Sequence, residues 1–144
     1  MSVYIDTSAL AKRYLAEPAS DAFDRFLATC GDDYVINPLG ATEFESVLQR
    51  LQRQQLIDAR HARRARTEFG KDLAAALWNM QPFDSDSFSL ATALMQDLGV
   101  ALATLDALHL ASAISHQCSG LATGDRQLAR AAAARGLDVY PFHT

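Results

Sequence analysis

The segment VYIDTSALAKRY, residues 3–14, places a short apolar run directly before a carboxylate and two hydroxyls. Residues 3–5 are predicted to form a buried strand. Residues 8–15 are predicted to form a helix with a hydroxyl side chain as its N-cap. Asp6 then stands where the strand gives way to the helix. This segment predicts a strand–helix unit with an acid at its junction, where a ligand can reach it.

The rest of the chain repeats this alternation of strands and helices. Further strands are predicted over residues 34–36, 121–123 and 139–140. Further helices are predicted over residues 19–30, 43–55, 58–78, 84–98, 104–117 and 125–136. Such alternation indicates a parallel sheet covered by helices. We therefore expect an α/β fold, a three-layer α/β/α sandwich with a short central parallel sheet and a protruding helical arm over residues 43–78.

Composition sets the size and the electrical character of the molecule. The chain has 144 residues, 49% of them apolar, which suits a single domain over residues 1–144. The net charge of −4 argues against non-specific nucleic-acid binding. However, residues 50–71 hold seven basic and two acidic residues, so the arm carries +5 and the rest of the chain −9.

The basic arm has two interpretations. A run such as RHARRAR is commonly a solvated helix face. Alternatively, the arm contacts RNA or a protein partner, and the residues expected to do so are Arg50, Arg53, Arg63 and Arg64. Lys12 and Arg13 follow Asp6 by one to two turns and are expected to be exposed, with phosphate binding as the alternative.

The cysteines and the hydropathy of the sequence indicate the cellular compartment of the protein. Cys30 and Cys118 are far apart and lack metal-ligand spacing, so both are expected to be reduced and buried. We find no signal-peptide pattern and no apolar run long enough to span a bilayer. The sequence thus predicts a cytoplasmic protein with no membrane association.

Acidic residues are placed where a parallel sheet binds its ligands, beyond the carboxyl ends of the strands. Asp6 follows the first predicted strand, and Asp125 follows the strand at residues 121–123. Asp106 lies among apolar residues. Burial of a polar group without a hydrogen-bond partner costs about 2–7 kcal/mol, and an unpaired charge costs more. Glu43 lies at the margin of its helix's apolar stripe, whereas Glu45 is on a different, solvated face.

Each acid also has a structural interpretation. Asp6 and Asp125 are both acceptable helix N-caps. Asp106 could pair with His109 one turn later, and His109 is itself more typical of a core or supporting histidine than of a ligand. Trp78 is expected in the core or at a dimer interface.

Four carboxylates in one pocket would repel one another unless a cation were present. Oxygen ligands favour Mg²⁺ or Mn²⁺, which suit phosphodiester hydrolysis. Aspartyl-phosphate chemistry at Asp6 is a weaker alternative, since position 8 is Ser and no Lys follows Lys71. A non-enzymatic alternative is a metal-containing module that binds RNA or protein.

Four segments together resemble a PIN domain, most closely a VapC-type toxin ribonuclease. They are YIDTSALAKRY, TEFESVLQR, LDALHLASA and LATGDRQLARAAAARGLDV. The resemblance implies that Asp6, Glu43, Asp106 and Asp125 form the acidic site for one or two Mg²⁺ or Mn²⁺ ions. The choice between Glu43 and Glu45 at the metal stays open.

The resemblance also implies roles for hydroxyl side chains and for partners. Thr7, Ser8 and Thr123 match the hydroxyl positions expected to orient the carboxylates. The implied activity is endoribonuclease action on structured RNA, restrained by a cognate antitoxin. The implied assembly is a homodimer with two active sites along a shared groove.

Overall fold

A computed structural model describes residues 1–31 and 33–143, which form five strands and seven helices; Asp32 and Thr144 lie outside the described residues. The strands pair in the order β3-β2-β1-β4-β5, and every pair is parallel. Their bounds are β1 Ser2–Ile5, β2 Asp33–Ile36, β3 Trp78–Met80, β4 Gly120–Thr123 and β5 Asp138–Pro141.

Helices cover both faces of this sheet. They are α1 Thr7–Tyr14, α2 Ser20–Cys30, α3 Pro38–Arg53, α4 Ala59–Ala74, α5 Ser87–Met95, α6 Thr104–Ser115 and α7 Arg126–Ala134. Side chains of β1 alternate between the faces. Val3 and Ile5 join a core with α1–α4, whereas Tyr4 joins a core with α5–α7. The predicted three-layer α/β/α sandwich is confirmed.

The basic arm is the pair of helices α3 and α4. Their apolar stripes place Phe44 and Phe69 in the core, with ring centroids 5.4 Å apart. On the outer side, the guanidinium of Arg66 donates to both carboxylate oxygens of Glu45, with contacts of 2.7–3.0 Å. These contacts hold α3 and α4 together. In the turn that connects the two helices, Leu56 is 67% exposed.

Several element boundaries differ from the prediction, two of them by four residues or more. The helix predicted to reach Trp78 ends at Ala74, and Trp78 starts β3 instead. The indole of Trp78 is buried and donates to the Tyr14 hydroxyl at 2.8 Å, which explains why an aromatic residue here favours the sheet. Helix α3 begins at Pro38 rather than Glu43, since Asn37 caps it and Pro suits the first helical position.

Smaller corrections concern α5 and one cysteine. Helix α5 ends at Met95, three residues before the predicted end. Within the described residues neither cysteine forms a disulfide, and Cys118 is buried as predicted, but Cys30 is only partly buried. Across the described residues, every helix is too short or too polar to cross a membrane.

Candidate active site

Parallel pairing brings the ends of β1 and β4 side by side. Ile5 lies opposite Ala122 in the register, and the backbone N–H of Asp6 donates to the carbonyl of Ala122 at 3.2 Å. The chain therefore leaves both strands at the same edge of the sheet. Asp6 and Asp125 follow these strands and lie beside that edge, as the sequence predicted.

Asp6 is held by donors from both strand ends and is only 3% exposed. Its carboxylate accepts hydrogen bonds from the Ala9 backbone N–H at 2.9 Å, the Ser8 hydroxyl at 2.8 Å and the Thr123 hydroxyl at 2.6 Å. Asp6 is thus the N-cap of α1, and the prediction of a hydroxyl N-cap was wrong. A carboxylate can accept all three bonds at once. The Ser8 and Thr123 hydroxyls therefore orient the Asp6 carboxylate, while the bond from Ala9 caps the helix.

Asp125 is the N-cap of α7. Its Oδ1 accepts the backbone N–H groups of Gln127 at 2.8 Å and Leu128 at 2.9 Å. Its own backbone N–H donates to Thr123 Oγ1 at 2.9 Å, and that hydroxyl in turn donates to Asp6. Within the described part of the chain, the second carboxylate oxygen of Asp125 carries no hydrogen bond. Capping and ligand binding are therefore compatible at this residue.

Asp106 lies in the first turn of α6 and is half-buried. Burial, together with the nearby carboxylates of Asp125 and Asp6, raises the pKa of its carboxyl to about 6. We find no hydrogen bond to this carboxyl from the residues that the structure describes. His109, its predicted alternative partner, bonds to Glu43 instead.

Glu43 extends from α3 into a buried polar network. Its Oε1 accepts from the Thr7 hydroxyl at 2.8 Å and from His109 Nε2 at 2.5 Å. On the other side of the imidazole, Nδ1 lies 2.6 Å from the hydroxyl of Tyr4. Because burial raises the pKa of Tyr4, that hydroxyl keeps its proton and donates to Nδ1. This pattern places the imidazole proton on Nε2, directed at Glu43.

This network keeps Glu43 charged. Burial acts to raise the pKa of the Glu43 carboxyl, but the bonds from His109 and Thr7 outweigh it and lower the pKa below its ordinary value. Glu45, by contrast, points to the surface and pairs with Arg66. The structure therefore directs Glu43, rather than Glu45, toward the other acids.

One cavity of about 470 Å³ is lined by all four predicted acids. Arg50 and Lys12 also line it, together with Thr7, Ser8 and His109. The remaining predicted contact residues, Arg53, Arg63 and Arg64, are exposed on the arm and do not line this cavity. A larger groove of about 800 Å³ between α1 and the arm contains Arg64 and none of the four acids.

The donor set of this cavity suits a hard divalent ion. Among residues 1–31 and 33–143, no three His, Cys, Asp or Glu side chains are close enough to enclose a metal ion together. Mg²⁺ does not need such a cage, because it usually keeps several waters and binds through one or two carboxylates. Free carboxylate oxygens on Asp106 and Asp125, beside the buried Asp6, fit that mode of binding.

Replacing Asp106 tests how much its charge destabilises the metal-free protein, since this carboxylate is half-buried and close to other carboxylates. The native pKa near 6 exceeds the ordinary value of 3.8, so the native state holds the extra proton between these pH values. The free energy of unfolding therefore falls as pH rises through this window. Asp106→Asn should recover about 1 kcal/mol above the window, after allowance for solvent screening. This gain corresponds to a rise in Tm of about 2–4 °C.

The measurement is thermal unfolding of both proteins in EDTA across the acidic to neutral range. We expect the variant to match the wild type near pH 4 and to exceed it near pH 7.5. Added Mn²⁺ should raise the Tm of the wild type more than that of Asp106→Asn. A difference in Tm that is constant with pH would contradict the claim that ionisation of Asp106 destabilises the folded protein.

The family is established by sequence: residues 3–134 match the PIN domain, and the chain belongs to that family. The resemblance predicted from the four motifs is thereby confirmed. Among curated proteins, no sequence matches this chain significantly.

Several solved structures share the fold at low sequence identity. VapC20 of Mycobacterium tuberculosis, a sarcin-ricin loop cleaving toxin, has a TM-score of 0.69 and 15% identity, over 94% of this chain and 95% of that chain. VapBC2 of Rickettsia felis, bound to a promoter DNA fragment, has a TM-score of 0.67 and 12% identity over 99% of both chains. FitAcB of Neisseria gonorrhoeae has a TM-score of 0.65 and 16% identity over 96% of both. At these identities the likeness shows the fold.

Two charged residues of the cavity lie where the sequence did not place them: phosphate binding by Lys12 was only the alternative, and Glu17 was not singled out. Lys12, expected at the surface, is 9% exposed, and Glu17 pairs with it at 2.6 Å. A signal for Lys12 was present in the sequence, since it follows Ser8 by four residues and such pairs share a helix face. Glu17 lies in a loop, where periodicity gives no orientation.

Proposed function

We propose that this protein is a Mg²⁺- or Mn²⁺-dependent endoribonuclease and the toxin of a toxin–antitoxin pair. The observation that carries the proposal is the single cavity in which Asp6, Glu43, Asp106 and Asp125 meet at the carboxyl edge of the sheet. Membership of the PIN domain family, whose members are typically nucleases, supports the same chemistry.

Asp6, Asp106 and Asp125 are suited to hold the ion, one or two of them directly and the others through its bound waters. Asp6 is fixed by its hydrogen bonds to Ser8, Thr123 and Ala9, so it offers a ligand of set orientation. Asp106 and Asp125 contribute oxygens that the protein leaves unbonded in the described residues. A bound Mg²⁺ or Mn²⁺ would polarise a phosphoryl oxygen and lower the pKa of a nearby water.

Glu43 is suited to act on the attacking water. His109 and Thr7 fix its Oε1, and the other oxygen remains available to accept a hydrogen bond. Because a carboxylate with a lowered pKa is a weak base, orientation of the water is the larger part of its role. Glu43 also serves as an alternative ligand if a second ion binds.

The basic arm is suited to bind the RNA backbone. Arg50 lines the acid cavity, and Arg53, Arg63 and Arg64 extend positive charge along the exposed side of α3 and α4. Arg66 is excluded from this group because Glu45 neutralises it. Positive charge beside an acidic cavity holds the phosphates that flank the cleaved bond.

Partners are proposed from the family resemblance and from structurally similar proteins. One such structure is described as a toxin–antitoxin complex from Klebsiella pneumoniae, at 20% identity and a TM-score of 0.60. We propose that a cognate antitoxin covers the acid cavity and that the chain forms a homodimer. Exposed apolar side chains of α5 and its flanks, such as Phe88 at 58% and Leu98 at 96%, provide surface for a subunit contact.

The test is incubation of purified protein with a labelled structured RNA in Mg²⁺, Mn²⁺ and EDTA, with products resolved on a gel. We expect internal cleavage that requires metal and stops in EDTA. Binding of the RNA without any product, at every metal concentration, would favour the alternative of a metal-containing binding module. Cleavage that continues undiminished in EDTA would contradict the proposal.

A further inference from the structure

Lys12 places a positive charge inside a cavity made of acids. Its side chain is 10% exposed, and its ammonium pairs with the carboxylate of Glu17 at 2.6 Å. A methyl group added at Gly124 would lie 3.3 Å from Cε and 3.4 Å from Nζ of Lys12. The ammonium is therefore held against the loop that joins Thr123 to Asp125, beside the predicted metal ligands.

The pairing with Glu17 is built by local structure. The Ser20 hydroxyl donates to the carbonyl of Leu15 and accepts from the backbone N–H of Glu17, both at 2.9 Å. These two bonds fix the turn that follows α1. The carboxylate of Glu17 is consequently presented to Lys12, which lies two turns along α1 from Asp6.

Burial of an ammonium costs several kcal/mol unless its hydrogen-bonding groups are satisfied. An ammonium has three N–H donors. Among the described residues, Glu17 is the one hydrogen-bond acceptor that Lys12 contacts. Since Lys12 lines the same cavity as the four acids, its remaining donors are available to an anionic group that enters there.

We propose that Lys12 binds a non-bridging oxygen of an RNA phosphate next to the one that is cleaved, and that Glu17 positions the ammonium for this contact. The inference rests on the proposed ribonuclease function and adds a substrate contact to it. A phosphate suits the position because its charge is opposite to that of Lys12 and because it accepts several hydrogen bonds. The alternative is a structural ion pair that only tethers the turn after α1.

The experiment compares Lys12→Met with Lys71→Met. Lys71 is the second of the chain's two lysines; it is exposed on α4, pairs with Glu68 at 3.8 Å and is not among the four arginines proposed to contact RNA, so it is a chemically matched control at another place. For cleavage of one labelled RNA hairpin, we expect Lys12→Met to raise KM about tenfold and to change kcat less than about threefold. Lys71→Met should leave both constants within about twofold of the wild type.

A binding measurement separates a phosphate contact from a structural role. Fluorescence anisotropy of the same hairpin, measured with Asp106→Asn as the parent, gives the slope of log K against log salt. Loss of one phosphate contact should reduce the magnitude of that slope by about 0.7–0.9. A structural ion pair would change the Tm and leave the slope unaltered.

Glu17→Gln provides a second variant if Lys12→Met fails to fold. This variant keeps the charge of Lys12 but removes the ion pair that positions its ammonium. KM should therefore rise about threefold, and the salt slope should stay the same. The inference is overturned if Lys12→Met keeps the parental slope and KM, or, where that variant does not fold, if Glu17→Gln keeps the wild-type KM. Failure of the wild type itself to cleave or bind the hairpin would overturn the proposed function as well.

Discussion

Asp6→Asn is expected to reduce metal-dependent RNA cleavage by at least about 100-fold, more than loss of a residue that merely supports a metal ligand. Asp6 lies deepest of the four acids and is fixed by the hydroxyls of Ser8 and Thr123. Replacement by Asn keeps the shape but removes the negative charge that holds the ion. The measurement is the rate of hairpin cleavage at saturating Mn²⁺.

The same substitution should leave the fold largely intact. Burial raises the pKa of the Asp6 carboxyl, which shows that the folded protein tolerates its charge at a cost. Asn retains an acceptor oxygen for the Ala9 backbone N–H, so the N-cap survives. We therefore expect the Tm of metal-free Asp6→Asn to equal or exceed that of the wild type.

Asp58→Asn is the matched control for Asp6→Asn. Asp58 is likewise a helix N-cap, accepting from the backbone N–H of His61 at the start of α4, but it is exposed and remote from the cavity. It should retain wild-type activity within about twofold. Equal losses of activity in the two variants would mean that helix capping, and not metal binding, explains the effect at Asp6.

Glu43→Gln is expected to lower kcat by about 100-fold or more, the usual range for loss of a group that transfers or orients a reacting proton. Gln is close in size and can still accept from His109, so the buried network persists. The lost charge removes the acceptor that orients the attacking water. Because the RNA contacts lie elsewhere, KM should change little.

Glu45→Gln is the control, since Glu45 is two residues away on the same helix and pairs with Arg66 at the surface. Removal of one exposed ion pair costs about 0–1 kcal/mol. The variant should cleave RNA within about twofold of the wild-type rate. A large loss in Glu45→Gln with an active Glu43→Gln would reverse the assignment of these two residues.

The parallel sheet was predictable because its central strands are short apolar segments bounded by turn signals. Strand β3 was not, because residues 78–80 follow an amphipathic helix directly and Leu77-Trp78 continues its apolar pattern. The break occurs at Ala76, which adopts a left-handed backbone with φ of 59°. Alanine gives no sequence signal for that conformation, so pairing of β3 with β2 decides the boundary.

The four acids could be placed from the sequence because each follows a strand or lies on the apolar side of a helix. Their supporting contacts could not, since these depend on distances across the sheet. Tyr4 and His109 are 105 residues apart and meet at 2.6 Å. Likewise, Asp6 and Ser8 were each eligible to cap α1, and only the hydrogen bond from the Ala9 backbone N–H to Asp6 shows which of them does so.

The acid cavity should bind a divalent metal ion, and a crystal containing Mn²⁺ would show whether it does. A crystal grown or soaked with Mn²⁺ at a concentration that supports cleavage should show an anomalous peak inside the cavity. Carboxylate oxygens of at least two among Asp6, Asp106 and Asp125 should lie about 2.1 Å from that peak. A cavity without a peak at that concentration, or with Mn²⁺ bound elsewhere, would contradict the assignment of the metal site to this cavity.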